Sequence, residues 1–485
     1  MSVKPSAALV KSSLSSHSWL GLSVALLMYL VCLSGTLVVY FEEFERWEQP
    51  NIPEYLDYSP DLIGQAVNNF SQRVTTLPER LYVVLPTQAV PRMHVSDGAH
   101  EWFVNQDGSL SEAPVEGWTY FLKELHINLH LPKMLGLILV GILGVMLCAL
   151  IISGLVAHPR IFKDAFKVRL GVNKAKEQAD LHNRLSVWGT PFYFMIGLSG
   201  AFIGLVSIII AVGSFALYGN DREKMVDIVY GSDPVITTAA TPLDFKNTLA
   251  SLAKVAPDAQ PIYFLVHNLN KKGQFIEVAA TLPQRLIYSE MYRFKSDGTF
   301  INQQGLSNGN AGRQIAYSVY RIHFGHFGGF AVKIFYGLMG LALTVISVTG
   351  INIWLAKRKH RSYLNDVWVA CVWGTPLALS GAASAALFGL SAPLSFLVIL
   401  LSCISGCVLT KNEHASRQTL LASLGLSLLV IVGGYALIHG IIDQHPVAFA
   451  LNIILTISGL GLLLMAYLRY KQNLGIILTP KIASL

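Results

Sequence analysis

Two sequence patterns decide the fold of this chain, and each occurs twice. Residues 17–35 read HSWLGLSVALLMYLVCLSG and residues 182–200 read HNRLSVWGTPFYFMIGLSG, so that a histidine stands 17 residues before a Ser-Gly pair in both. Residues 130–154 and 326–350 each begin with a histidine and end 24 residues later in a glycine, with two further glycines at matching places between them. The repetition predicts an internal duplication of a helix, a polar segment and a second helix.

The composition is that of an integral membrane protein. The mean hydropathy is +0.49, 53% of the residues are hydrophobic and only 13% are charged, whereas soluble domains contain about a quarter charged residues. A membrane span needs about 20 apolar residues. The sequence predicts eight such spans, at roughly 19–41, 133–157, 187–217, 328–356, 367–389, 391–410, 419–440 and 446–468.

Basic residues predict how the spans are oriented. The first span is too long for a secretory signal and is followed by acidic residues, so we expect a retained anchor. Lys and Arg follow every even-numbered span, as Arg160, Lys163, Lys167, Arg169, Lys174, Lys176 and Arg184, then Lys357, Arg358, Lys359 and Arg361, then Lys411 and Arg417, then Arg469 and Lys471. Both termini are therefore predicted to be cytoplasmic. The net charge of +7 reflects this topology and does not indicate nucleic-acid binding.

The predicted fold is a membrane α-helical bundle whose first four spans are an internal duplication, with two small outer α+β domains. The predicted order is a tail and first span (1–42), outer domain one (43–120), spans two and three with a basic loop (121–217), outer domain two (218–318), span four (319–360) and a four-helix C-terminal extension (361–485). Each outer segment shows one helical pattern followed by short alternating strands. Both outer segments are interpreted either as spacers or as a docking surface.

The C-terminal extension repeats one motif of the first half without its histidine. Trp373-Gly374-Thr375-Pro376 matches Trp188-Gly189-Thr190-Pro191, but the position equivalent to His182 is Val367. We therefore expect a structural role or a partner surface here. All five cysteines lie in predicted spans and none belongs to a C-x-x-C-H motif, which excludes covalent c-type haem.

The histidines at the predicted ends of the first four spans are the candidate metal ligands. At the cytoplasmic face they are His17, His182 and His158, and at the outer face they are His126, His130, His323 and His326. A single histidine at such a place is read more simply as a solvated or packing residue. Two symmetric pairs at opposite membrane faces favour haem, because paired imidazoles in a helical bundle can hold one iron from both sides. The spacing predicts two b-type haems. Their glycines fit either a flat macrocycle or close helix packing.

The chain resembles the PepSY-associated transmembrane proteins, which include iron-regulated inner-membrane proteins of Gram-negative bacteria and siderophore reductases. The resemblance covers about residues 10–360. It rests on motifs at residues 16–21, 124–126, 181–182, 322–325 and 347–355 (SHSWLG, ELH, LH, IHFG and SVTGINIWL), with Gly136 and Gly329.

The resemblance implies that the outer segments are PepSY domains and that a dihaem b-type core in the bacterial inner membrane passes electrons to ferric siderophores in the periplasm. It also places the outer ligands at His126 and His323, whereas the spacing favours His130 and His326, one turn deeper on the same helical faces. All four remain candidates. The donor is expected to be a separate cytoplasmic protein or quinol, because the cytoplasmic loops lack a dinucleotide-binding motif.

Two other functions remain open. The first is a permease for an iron chelate, although the spans carry almost no charge and no paired broken helices. The second is a PepSY membrane protein that regulates a periplasmic protease without being an enzyme. The haem hypothesis has one geometric difficulty, which is the distance that an electron would have to cross. His130 and His158 are about 42 Å apart along a helix that rises about 1.5 Å per residue.

Overall fold

The computed structural model describes residues 5–161, 166, 174–440 and 445–478. Part of the predicted basic loop, including Lys163, Lys167 and Arg169, lies outside the described residues, as do the ends of the predicted N-terminal tail and C-terminal extension.

The described residues form long apolar helices and two polar segments, and the strands lie in the polar segments. The helices are α1 (Ala7–Val38), α2 (Phe41–Glu48), α3 (Pro60–Arg73), α4 (Trp118–Asn128), α5 (Lys133–Ala157), α6 (Lys174–Tyr218), α7 (Arg222–Tyr230), α8 (Phe245–Val255), α9 (Ala311–Phe324), α10 (Gly329–Ala356), α11 (Tyr363–Leu387), α12 (Ala392–Thr410), α13 (Glu413–His439) and α14 (Pro446–Leu478). The strands are β1 (Arg80–Val84), β2 (Met93–Ser96), β3 (Glu101–Val104), β4 (Gln260–His267), β5 (Phe275–Thr281), β6 (Glu290–Lys295) and β7 (Phe300–Gln303).

Eight of the described helices, α1, α5, α6 and α10 to α14, are long and apolar enough to cross a membrane. The prediction of eight spans is confirmed, and the chain is a multi-pass membrane protein. Helix α1 begins about one dozen residues before its predicted span, because the Ser6 hydroxyl accepts a hydrogen bond from the Leu9 amide and starts the helix early. Helix α6 likewise begins before its apolar run, at Lys174. His17 and His182 therefore lie inside helices and not in loops.

The chain divides into two compact units. The first, which we call the bundle unit, comprises Met1–Pro50, Glu116–Gly197 and Tyr336–Leu485, and the second, the sheet unit, comprises Asn51–Val115 and Leu198–Phe335. In the bundle unit the short helix α4 packs through Trp118, Phe121 and Leu125 into one buried cluster with Ala382 of α11 and Tyr435 of α13. Small side chains on α11 permit this close approach. The C-terminal extension is thus continuous with the helices of the predicted duplication.

The sheet unit contains one seven-stranded antiparallel sheet in the order β3-β2-β1-β4-β5-β6-β7. The sequence predicts two separate small domains, but β1 pairs with β4, with Val83 opposite Phe264, and the two segments share one core. An isolated three-stranded sheet would leave the edge of β1 unpaired, and the pairing satisfies that edge. The helical pattern and the alternating strands predicted for each segment are present, as α3 followed by β1 to β3 and α8 followed by β4 to β7.

Candidate functional site

His17 of α1 and His182 of α6 lie side by side in the bundle unit. Their ring centroids are 6.3 Å apart and the ring planes cross at 83°. Both side chains are half-buried. The structure therefore brings together the two histidines that the 17-residue spacing makes equivalent.

Each of these rings is held at one edge by a neighbouring helix. Nδ1 of His17 lies 3.0 Å from the carbonyl oxygen of Leu150 and 3.3 Å from the hydroxyl of Ser153, both on α5. A methyl group added at Gly154 would lie 3.1 Å from Cε1 of the same ring. The imidazole thus occupies space that only a glycine leaves open.

His182 has the same surroundings on α10. Its Nδ1 lies 3.1 Å from the Ile346 carbonyl oxygen and 3.1 Å from the Thr349 hydroxyl. A methyl group at Gly350 would lie 3.4 Å from its Cε1. The shared arrangement is a carbonyl, a hydroxyl residue three positions later and a glycine after it, and we call this arrangement the clasp.

The clasp selects one tautomer of each ring. A carbonyl oxygen can only accept, so Nδ1 must carry the hydrogen that it donates, and the lone pair is left on Nε2. Among the described residues, no hydrogen bond reaches Nε2 of His17 or His182. In a neutral ring of this tautomer, Nε2 would be the nitrogen that binds a metal ion.

His126, on α4 of the bundle unit, is held in a third clasp. Its Nδ1 lies 3.0 Å from the Val31 carbonyl oxygen of α1, and a methyl group at Gly35 would lie only 2.6 Å from its Cε1. Ser34, between them, is fully buried and its hydroxyl donates to the Leu30 and Val31 carbonyls. Burial lowers the pKa of His126, although the hydrogen bond to Val31 opposes this effect, so the ring is kept neutral.

His323, on α9 of the sheet unit, lies against a similar Ser-Gly pair. Its Nδ1 lies 2.9 Å from the Ser199 hydroxyl, and a methyl group at Gly200 would lie 3.2 Å from its Cε1. Ser199 itself is buried. His126 and His323, the two outer positions that the family resemblance implies, therefore each lie against a Ser-Gly pair, with Nδ1 at the Val31 carbonyl in the first and at the Ser199 hydroxyl in the second.

The other three candidates have different surroundings. The prediction that His130 shares a helical face with His126 is wrong, because α4 ends at Asn128 and Leu129 takes a left-handed conformation. The matching prediction for His326 is wrong because α9 ends at Phe324 and Gly325 is left-handed. His130 is exposed and its Nε2 lies 2.8 Å from the Phe121 carbonyl oxygen.

His326 is likewise exposed, and so is His158 at the end of α5. None of these three is placed against a Ser/Thr-Gly pair. Within the described residues, no group of three or more His, Cys, Asp or Glu side chains is arranged to hold a metal ion, so the histidine pair is the strongest candidate for ligation.

The residues that sequence reasoning missed are the anchors of the clasps. The sequence predicts that the glycines make room for a flat macrocycle or for close helix packing, whereas in the structure Gly154 and Gly350 face the imidazoles, and the carbonyls of Leu150 and Ile346 and the hydroxyls of Ser153 and Thr349 make the contacts. A sequence sign of these anchors exists, because a Ser-Gly or Thr-Gly pair recurs at the matching positions. It does not by itself show which histidine lies opposite.

Comparison with known proteins agrees with the resemblance. The family described as PepSY-associated TM region matches residues 14–357. The uncharacterized protein PA4219 of Pseudomonas aeruginosa is 23% identical over 251 residues, which are 48% of this chain and 64% of that relative. The chain thus covers less than two thirds of that relative's length. From the family match over well more than half of its residues, the chain belongs to the family of proteins with a PepSY-associated TM region.

Proposed function

We propose that this protein is a haem-containing reductase of the bacterial inner membrane. It passes electrons from the cytoplasmic side, or from quinol, to ferric siderophores in the periplasm, where iron leaves as Fe(II). The observation that carries the proposal is the His17–His182 pair, whose rings are 6.3 Å apart and both donate from Nδ1. The predicted topology, with cytoplasmic termini, orients this pair toward the cytoplasm.

The spacing of this pair fits one iron held between the rings. A histidine nitrogen binds a metal ion at about 2 Å, and the ring centroids of His17 and His182 are 6.3 Å apart, so these two residues would hold the haem iron if it were bound between the rings. The chain has no C-x-x-C-H motif, so the group implied is non-covalent haem b.

The clasps prepare the histidines for this role. A ligating imidazole whose second nitrogen donates to a fixed acceptor has a set ring orientation and a more basic ligating nitrogen. His126 and His323 also lie against Ser-Gly pairs, and we propose each of them as a further candidate haem ligand on the outer side. Haem supplies one-electron redox chemistry, and the chain's own residues hold it, orient it and exclude water.

The shared helix α1 also shortens the path that the electron must travel. Fourteen residues separate His17 from Val31, the anchor of His126, which is about 21 Å along a helix at about 1.5 Å per residue. This is half of the separation between His130 and His158. With His126 as the outer ligand, the path along the helix is therefore about half as long.

The substrate chemistry requires no catalytic acid or base. Siderophores hold Fe(III) through hard oxygen donors that bind Fe(II) less well, so the transfer of one electron to each chelated iron loosens it. A reductase of this kind needs a ligand pair at each side of the membrane and an outer surface for the chelate. The family match supports the proposal, and the relative in Pseudomonas aeruginosa carries no named activity.

The test begins with the spectrum of the purified full-length protein. We expect a b-type haem spectrum with two haems per chain. The reduced protein should be reoxidised under anaerobic conditions by a ferric siderophore, with one Fe(II) trapped for each electron lost. A colourless protein after expression with added haem would refute the proposal. Reduced haems that stay reduced with every chelate, while vesicles take up the intact complex, would favour the permease.

A further inference from the structure

A second polar contact joins α6 and α10 one turn away from the His182 clasp. The Asn352 amide nitrogen donates to the side-chain oxygen of Gln178 at 3.0 Å. Gln178 lies four residues before His182, and Asn352 lies three residues after Thr349. Residues three or four apart share a helical face, so this contact and the clasp belong to one interface.

The C-terminal extension completes this contact. The indole nitrogen of Trp368, on α11, donates to the Asn352 side-chain oxygen at 3.0 Å. Trp368 is 8% exposed. The same helix is held to α1, because the Tyr29 hydroxyl donates to the Val372 carbonyl at 2.7 Å and its ring packs against Trp368.

The donor and acceptor groups fix the direction of this series of hydrogen bonds, which runs from Trp368 through Asn352 to Gln178. An indole N–H can only donate, so it holds the oxygen of the Asn352 amide on the α11 side and turns the NH₂ group toward Gln178. Without the indole N–H, the amide oxygen would lose its partner in a half-buried site, which is unfavourable. The amide would then rotate or the helices would shift. Trp368 therefore orients the Asn352 amide for its hydrogen bond to Gln178.

The other half of the predicted duplication lacks this series of hydrogen bonds. Counting from His17 and Gly154, the positions equivalent to Gln178 and Asn352 are Ser13 and Val156. Valine can neither donate nor accept a side-chain hydrogen bond, so α1 and α5 cannot form the contact. The two histidines thus share a clasp but differ in what supports it.

We propose that helix α11, through Trp368, Asn352 and Gln178, positions His182 in its clasp, and that His17 has no such support. These three are positioning residues, because none of them touches either imidazole ring. Helix α11, the first of the four C-terminal helices, then has a defined role, namely to set the orientation of His182 on α6. The proposal rests on the proposed function only for its haem readout.

The test variant is Trp368→Phe, which keeps an aromatic ring and removes the indole N–H. Protein labelled with ¹⁵N-histidine reports the tautomer of each ring by NMR, whether or not haem is bound. We expect the His182 resonances to lose their single Nδ1–H tautomer while those of His17 remain. Asn352→Leu should have the same effect. In the haem-loaded protein the low-spin electron paramagnetic resonance of one haem should shift.

Two matched controls make the result specific. Trp373→Phe changes a half-buried tryptophan of the same helix, and Ser13→Ala changes the position equivalent to Gln178. Both should leave the spectra unchanged. If Trp368→Phe leaves His182 unaltered, or alters His17 and His182 equally, the positioning role is wrong. A protein that binds no haem would refute the proposed function, while the tautomer measurement would still decide this inference.

Discussion

Ser-Gly or Thr-Gly pairs occur in both halves of the membrane region, but their neighbours differ. In the first half, Gly154 and Gly350 face the imidazoles of His17 and His182. In the C-terminal half, Gly381 of the Ser380-Gly381 pair faces the Ile399 side chain. The pair therefore opens a gap on a helix surface, and the neighbouring helix decides whether an imidazole or an aliphatic chain fills it.

The hydroxyls in the two halves also behave alike. Ser153 donates to the carbonyl of Leu150 three residues earlier at 3.2 Å, and Ser380 donates to that of Leu377 at 3.0 Å. The local geometry is the same, as expected for serine in an apolar helix. Only the histidine across the interface turns this geometry into a ligand site, so the dipeptide alone does not identify one.

The largest expected effect comes from removing a histidine that has a clasp. His17→Ala or His182→Ala should abolish the inner haem and halve the haem absorbance per protein, because one imidazole cannot replace two axial ligands. His130→Ala and His326→Ala serve as controls at exposed histidines without a clasp, and should keep both haems. Equal losses in all four variants, measured by pyridine haemochrome assay, would remove the distinction between clasped and unclasped histidines.

A smaller and graded effect should follow from filling the gaps. A methyl group would lie 2.6 Å from the ring at Gly35, 3.1 Å at Gly154 and 3.4 Å at Gly350. Haem retention during dialysis should therefore fall most in Gly35→Ala, less in Gly154→Ala and least in Gly350→Ala. Gly406→Ala is the matched control, since no atom lies within 4 Å of its added methyl group. Retention that does not follow the distances would argue against imidazole packing as the purpose of these glycines.

Removing a clasp hydroxyl should weaken haem binding less than adding a methyl group at a clasp glycine. Ser153→Ala and Thr349→Val remove one acceptor of each Nδ1 hydrogen but leave the carbonyl in place. A single hydrogen bond contributes about 1 kcal/mol, so we expect haem affinity to weaken several-fold. Ser380→Ala, at the pair without a histidine, should leave haem affinity unchanged. If all three variants bind haem as the parent does, then the carbonyls alone hold the rings.

The smallest expected effect separates the sheet unit from the clasps. Burial raises the pKa of Glu277, but the neighbouring His267 and the Arg293 guanidinium, which donates a hydrogen bond to the carboxylate at 2.8 Å, outweigh burial and hold that pKa below its usual value. A carboxyl with a lowered folded pKa stabilises the folded state above its unfolded pKa of about 4.3, and this contribution is lost as the pH falls through the folded pKa.

After correction for the intrinsic slowing of amide exchange at lower pH, the protection of β5 and β6 should therefore decrease as the pH falls below about 4.3, and Glu277→Gln should flatten this dependence. The haem spectrum should not change with it, because Glu277 and Arg293 lie in β5 and β6, and neither strand carries a candidate haem ligand. A parallel change in haem content would contradict this independence.

Sequence patterns were sufficient for the elements and for one histidine pair. Apolar length predicted all eight spans, and alternation predicted the strands, because both depend on local burial. The repeated spacing also paired His17 with His182, since a duplication relates positions without any need for coordinates. The outer pair was ambiguous because α4 ends through Leu129, a residue that does not favour the left-handed conformation and so gives no sign of a helix end.

Local sequence therefore determines where the helices and strands lie and which histidine spacings repeat, since hydropathy and periodicity act within a segment. Tertiary structure alone decided that two polar segments share one sheet, that a carbonyl and hydroxyl of one helix hold the imidazole of another, and that Trp368 reaches Asn352. Such contacts join residues more than ten positions apart, and their partners depend on how whole helices and strand edges pack.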